Sequence, residues 1–111
     1  MSEQRRTATG ARIVIKVDPE LQDLIPGFLE NRRNDLKAIR TALDQGDFDT
    51  IRYLGHGMKG MGGGYGFEQI THIGGSLERA AIGKQSQIIE RDAEQLSSYL
   101  DRIEVVFEEP E

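Results

Sequence analysis

Apolar residues recur along most of this chain with a helical period. Leu29, Leu36 and Leu43 repeat every seven residues, and Ile25 and Ile39 fill the intermediate positions, predicting an amphipathic helix from about Gly27 to Gln45. Arg32, Arg33, Lys37 and Arg40 are left mainly for its flanks, and Gly46 suits a left-handed cap. A second helix should start at Asp47 and carry Ile51, Leu54, Met58, Met61 and Tyr65 as one seam. The third has Phe67, Ile70, Gly74, Leu77 and Ala81 in the same rhythm and is expected to stop at Gly83. The fourth has Ile89, Ala93, Leu96, Leu100, Ile103 and Phe107.

Ahead of these helices, Ile13, Ile15 and Val17 alternate, which suits a short extended strap on the core. Asp18 and Pro19 read as the cap and first position of a short helix to about Ile25, with a break at Pro26. Short polar connections make neighbouring helices antiparallel. The expected fold is all-α: an up-down-up-down four-helix bundle with a short extended or helical N-terminal segment packed across one end. Residues 1–10 contain nothing that buries itself and read as a flexible tail, leaving 11–111 as one domain.

Composition narrows the function classes. A formal charge of -5 argues against a nucleic-acid backbone as partner, because counterion displacement needs a concentrated basic face. With no cysteine, disulfides and thiolate metal sites are excluded, and two histidines among scattered carboxylates form no recognisable metal set. No apolar run approaches the roughly 18 residues of a membrane span, so the expected setting is cytoplasmic, without a membrane partner.

Between Gly55 and Gly66 lie seven of the chain's 13 glycines, inside a strongly periodic helix. Each truly helical glycine costs about 0.8–1 kcal/mol relative to alanine, so something other than helix stability selects them. At about 100° per residue, His56 points away from the apolar seam, toward solvent. Gly60 and Gly63, at i+4 and i+7, fall on its side and would clear an approach for a substrate carried on another folded protein. Lys59, at i+3, brings a positive charge near the imidazole. Histidine, with an ordinary pKa of about 6.5, offers a neutral nucleophilic nitrogen near neutral pH, and a lysine beside it would stabilise an incoming phosphoryl group. The same glycines are also compatible with an unwound stretch between Met61 and Gly66.

His56-x-Met58-Lys59-Gly60, followed by Tyr65-Gly66-Phe67, resembles the signature of the histidine-containing phosphotransfer (HPt) family, H-x-(Leu/Met)-K-G and then an apolar residue and glycine. The resemblance spans roughly residues 19 to 107, with its specific part in the dozen residues around His56. It implies a four-helix bundle in which His56 is the phosphoacceptor on Nε2, Lys59 assists the phosphate, and a partner approaches closely over Gly60, with Gly63 matching a further small position. Met61-Gly62-Gly63-Gly64 departs from the small polar residues and alanine of many members. The implied activity is reversible phosphoryl transfer with response-regulator receiver domains or a hybrid sensor histidine kinase, Arg52 standing at the docking rim. The chain would be a monomeric carrier with no cofactor of its own, Mg²⁺ being held by the partner receiver.

Other readings are weaker. Gly55-His56-Gly57-Met58-Lys59-Gly60 matches G-x-G-x-x-G, but a dinucleotide site needs a preceding strand, and Asp47 to Leu54 reads as helix. No Gly-Lys-Ser/Thr occurs, so an autonomous kinase is excluded. His72 is expected to be solvated, Asp92 and Glu94 to form a charged helix face, Met58 and Met61 to pack in the core, and Glu108 to Glu111 to fray. A non-catalytic receiver-binding module is the alternative function. A dimerisation domain of a histidine kinase is disfavoured because Gly57, not an acidic residue, follows His56.

Overall fold

The computed structural model describes residues 11–109, so the expected tail at residues 1–10 lies outside the described residues. Its elements are β1 (Ile13–Val17), a 3₁₀ turn (Pro19–Leu21), α1 (Ile25–Asp44), α2 (Phe48–Met61), a second 3₁₀ turn (Gly63–Tyr65), α3 (Glu68–Ile82), α4 (Ser86–Arg102) and β2 (Ile103–Phe107). The four helices pack as an all-α bundle in which each touches its chain neighbours and α1 closes against α4. Ile39, Ile51, Met58, Phe67, Ile70, Leu77, Ile89 and Leu96 are fully buried at its centre. Burying each such side chain is worth about 1.5–3 kcal/mol, so the common core supplies most of the stability that helix propensity does not.

Local chemistry sets the helix ends. Between α1 and α2, Gly46 adopts φ +69, its N–H donates to the Leu43 carbonyl at 3.1 Å and the Asp47 N–H to the Ala42 carbonyl at 2.8 Å. This closes α1 with a Schellman motif. Asp47 then caps α2 by accepting from the Thr50 N–H at 3.2 Å and the Thr50 hydroxyl at 2.6 Å, bonds that hold its carboxyl below the usual carboxylate range.

Several expectations need correction. Pro26 does not break a helix: it lies in the first turn of α1, where its missing N–H would have had no partner, and only Pro19–Leu21 is helical before it. Arg32 is not on a flank. It is buried at 6% exposure, with its guanidinium 4.8 Å from the Phe28 ring centroid, its Nε donating to Asp35 and its Nη1 donating to Met61 Sδ. Met61 is correspondingly displaced from the core to 38% exposure. Asp92 is buried and accepts from the Ser76 hydroxyl across the α3–α4 interface, while Glu94 does lie on the surface, paired with Arg40.

The largest difference is at the C-terminal end. Ile103 and Phe107, expected in the fourth helix, belong to β2, which pairs parallel with β1 in the register Ile13↔Ile103 through Val17↔Phe107. The β-branched residues Ile103, Val105 and Val106 favour this extended conformation, and the alternating strap at 13–17 offers a matching ladder. Cross-strand ion pairs Arg12–Glu104 and Lys16–Glu108 flank the exposed side of the sheet.

At the α3–α4 turn the left-handed residue is Lys84, at φ 54, rather than Gly83. A left-handed conformation costs a residue with a β-carbon roughly 1–2 kcal/mol. Replacing Lys84→Gly should therefore raise the unfolding free energy by about 1 kcal/mol in urea titrations, with an unchanged m-value.

Candidate functional site

His56 sits in the middle of the exposed side of α2, and its side chain is 70% exposed. Lys59 lies one turn further on and Arg52 one turn earlier, both exposed on the same helix. From α3 comes a residue that the local motif did not reveal. Glu78 places Oε2 2.9 Å from His56 Nδ1 and Oε1 3.1 Å from Lys59 Nζ. Its side chain is only 18% exposed, because it lies along the α2–α3 seam. The hydrogen bonds from Lys59 and His56 hold its carboxyl below the ordinary glutamate range. A carboxylate with a lowered pKa keeps its clamp above the usual glutamate range, and loses it as the pH falls through the lowered value.

An ionised carboxylate can only accept, so this contact fixes the imidazole tautomer: Nδ1 carries the proton and donates it to Glu78. In the neutral ring the lone pair is then left on Nε2, and no hydrogen bond engages that nitrogen among the described residues. The arrangement presents an exposed, oriented nitrogen nucleophile with an ammonium one helical turn away.

The glycines divide into two groups. A β-carbon on Gly55 would lie 2.8 Å from the Gly74 carbonyl oxygen and 2.8 Å from the Glu78 amide, and one on Gly74 would lie 2.5 Å from the Lys59 amide. These two glycines let the α2 and α3 backbones touch. Gly62 similarly meets Thr71. By contrast, β-carbons on Gly60 and Gly64 would meet nothing within 4 Å, and one on Gly57 only Met61 Cε at 3.9 Å. Gly60, one helical turn on from His56, thus has open space over it. Gly63 does not continue the helical face, because α2 ends at Met61 and Gly63 opens the 3₁₀ turn that finishes at Gly66 with φ +91. Tyr65, expected in the α2 seam, instead packs its ring 4.6 Å from that of Phe28.

His72 is exposed on α3. Met58 is fully buried in the core. Among the described residues no helix is long and apolar enough to cross a membrane, and no group of three or more acidic or histidine side chains is arranged to hold a metal ion.

A family model described as the Hpt domain matches residues 23–105. The chain belongs to the Hpt domain family. No curated protein and no solved structure gives a significant match. Membership implies histidine phosphotransfer within a phosphorelay, and Hpt domains in general interact with receiver domains and kinases. In this Hpt domain the matched region takes in all four helices and the whole His56–Lys59–Glu78 cluster.

The two groups of glycines should respond oppositely to alanine. Gly57→Ala and Gly60→Ala should each stabilise the domain by about 0.5–1 kcal/mol through helix propensity. Gly74→Ala should cost about 1–3 kcal/mol, since backbone rather than a flexible side chain must yield. Chemical denaturation of the three variants checks the contrast.

Proposed function

We propose that this Hpt domain is a phosphorelay intermediate that accepts a phosphoryl group on His56 Nε2 from the phosphoaspartate of one receiver domain and passes it to another. The observation that carries the reading is the exposed imidazole whose Nδ1 is tied to Glu78, an orientation that leaves the lone pair of the neutral ring on Nε2. In the forward step the Nε2 lone pair attacks phosphorus, the Nε2–P bond forms, and the aspartyl oxygen–phosphorus bond breaks to return a carboxylate to the partner. Nδ1 keeps its proton throughout. Lys59 meets the added negative charge, and the open space at Gly60 admits the receiver's phosphorylated loop. Arg52 would stand at the rim of that contact and Gly63 beyond it. A receiver of this kind carries the Mg²⁺ that neutralises the phosphoaspartate, so the Hpt chain supplies position and charge rather than a cofactor. Both partners being signalling proteins of the cell interior, the exchange belongs in the cytoplasm.

Mixing the protein with phosphorylated receiver domains and measuring intact mass tests this reading. Wild type should gain one acid-labile phosphoryl group, and His56→Gln none. A wild-type chain that stays unmodified across a broad receiver panel, with His56→Gln binding receivers equally well, would leave a docking module instead.

A further inference from the structure

Two methionines line the groove that runs along α2 beside His56, and their surroundings differ. Met58 is fully buried, whereas Met61, on the last turn of α2, is 38% exposed. The Met61 sulfur is nevertheless held in place: Arg32 Nη1 donates to Sδ at 3.1 Å. We propose that Met61 is an oxidation site of this domain, that hydrogen peroxide converts its thioether to the sulfoxide, and that the added oxygen makes the groove beside His56 polar and slows exchange with receivers. The last clause rests on His56 being the phosphoacceptor; the oxidation itself does not.

The groove is walled on its α2 side by Tyr53, Leu54, His56 and Met61 and on its α1 side by Arg32 and Asp35. Its volume of about 380 Å³ readily admits a peroxide molecule. A thioether sulfur is a weak acceptor and keeps a second lone pair beyond the one that an N–H engages. That pair attacks one oxygen of hydrogen peroxide. The S–O bond forms as the O–O bond breaks, and the departing hydroxide takes the proton of the transferred oxygen and leaves as water. Sulfur is oxidised from thioether to sulfoxide, and the peroxide is reduced to water.

Arg32 decides where the product stays. Its guanidinium is fixed from three sides: Asp35 Oδ2 accepts from Nε at 2.8 Å, the Phe28 ring centroid lies 4.8 Å from Cζ, and the sulfur meets Nη1. A sulfoxide oxygen accepts a hydrogen bond from a cation far more strongly than a thioether does. The oxidised side chain is therefore retained at the groove instead of swinging into solvent. Because His56 is itself a wall of this groove, a receiver whose aspartate reaches Nε2 lies over Met61 as well. Closing that contact over a thioether strips little hydration, whereas closing it over a sulfoxide takes a strong dipole out of water.

The test treats wild type and Met61→Leu with hydrogen peroxide and removes the excess with catalase. Trypsin cuts after Lys59 and so places Met58 and Met61 in separate peptides, 53–59 and 60–79. In the native protein the Met61 peptide should gain oxygen at least about tenfold faster than the Met58 peptide, a difference that unfolding in urea should abolish. Comparable rates in the native protein, or a preference that survives unfolding, overturn the proposal. Phosphoryl uptake from a phosphorylated receiver should be about threefold to tenfold slower for oxidised than for unoxidised wild type, as fits a polar group only partly compensated for lost water. Uptake from phosphoramidate, a donor too small to cover the groove, should be unchanged. Met61→Leu, whatever its own rate with receivers, should show the same rate before and after peroxide. Methionine sulfoxide reductases should return oxidised wild type to its starting rate. An unchanged receiver rate in oxidised wild type overturns the proposal, and so does an equal loss with phosphoramidate or in the variant. If unoxidised wild type takes no phosphoryl group from receivers or from phosphoramidate, the phosphoacceptor reading fails instead, and the tryptic peptides still decide whether Met61 is the oxidised site.

Discussion

Where α2 crosses α3, the two backbones come so near at Gly55 and Gly74 that a single β-carbon would overlap main-chain atoms of the other helix. Packed at ordinary side-chain separation, the helices would carry Glu78 away from the imidazole, and neither the Nδ1 nor the Lys59 contact would form. The tautomer of the neutral His56 ring and the resting partner of Lys59 both descend from this crossing. The same contact explains why a helix can hold several glycines without unravelling: what propensity loses, direct packing of α2 on α3 recovers.

A second cluster sets the other side of the site. Phe28 from α1 packs against Tyr65 and Phe67, with ring centroids at 4.6 and 5.3 Å, and the Arg32 guanidinium lies over the Phe28 ring. This aromatic group clamps the glycine-rich turn onto α1, so the chain can leave the helical path after Met61 without loosening the last turn of α2, where Lys59 sits. Irregular backbone and an ordered site thus coexist within seven residues, from Lys59 to Tyr65.

How far the sequence revealed this depends on the range over which each signal acts. The bundle was legible because apolar residues at three- and four-residue spacing mark one helix face, and the turn at Gly46–Asp47 because its cap chemistry is local. His56, Lys59 and Gly60 stood out for the same reason, lying within five residues on one helix. Glu78 did not, being 22 positions from His56 and joined to it only through the packing of two glycines on different helices; the Gly74-Gly75 pair in mid-helix was the one available hint. Ile103 and Phe107 were misplaced because a spacing of four satisfies a helix, while the β-branched Val105-Val106 between them favours a strand. Arg32 and Asp92 escaped notice because a charge inside an apolar stripe ordinarily marks a surface, and only the observed partners, Phe28 and Asp35 for one and Ser76 for the other, make their burial tolerable.

The β1–β2 ladder joins residues 90 positions apart, from Ile13↔Ile103 to Val17↔Phe107. Contacts between successive helices close short loops, whereas this ladder must bring together segments separated by the whole bundle, and a two-stranded sheet is marginal without a surface to lie on. The order of assembly follows from that difference: the helices collapse first on their local contacts, and the strands zip last against a core already formed. The ladder is then a late clasp whose opening leaves the bundle, and with it the α2–α3 crossing, in place.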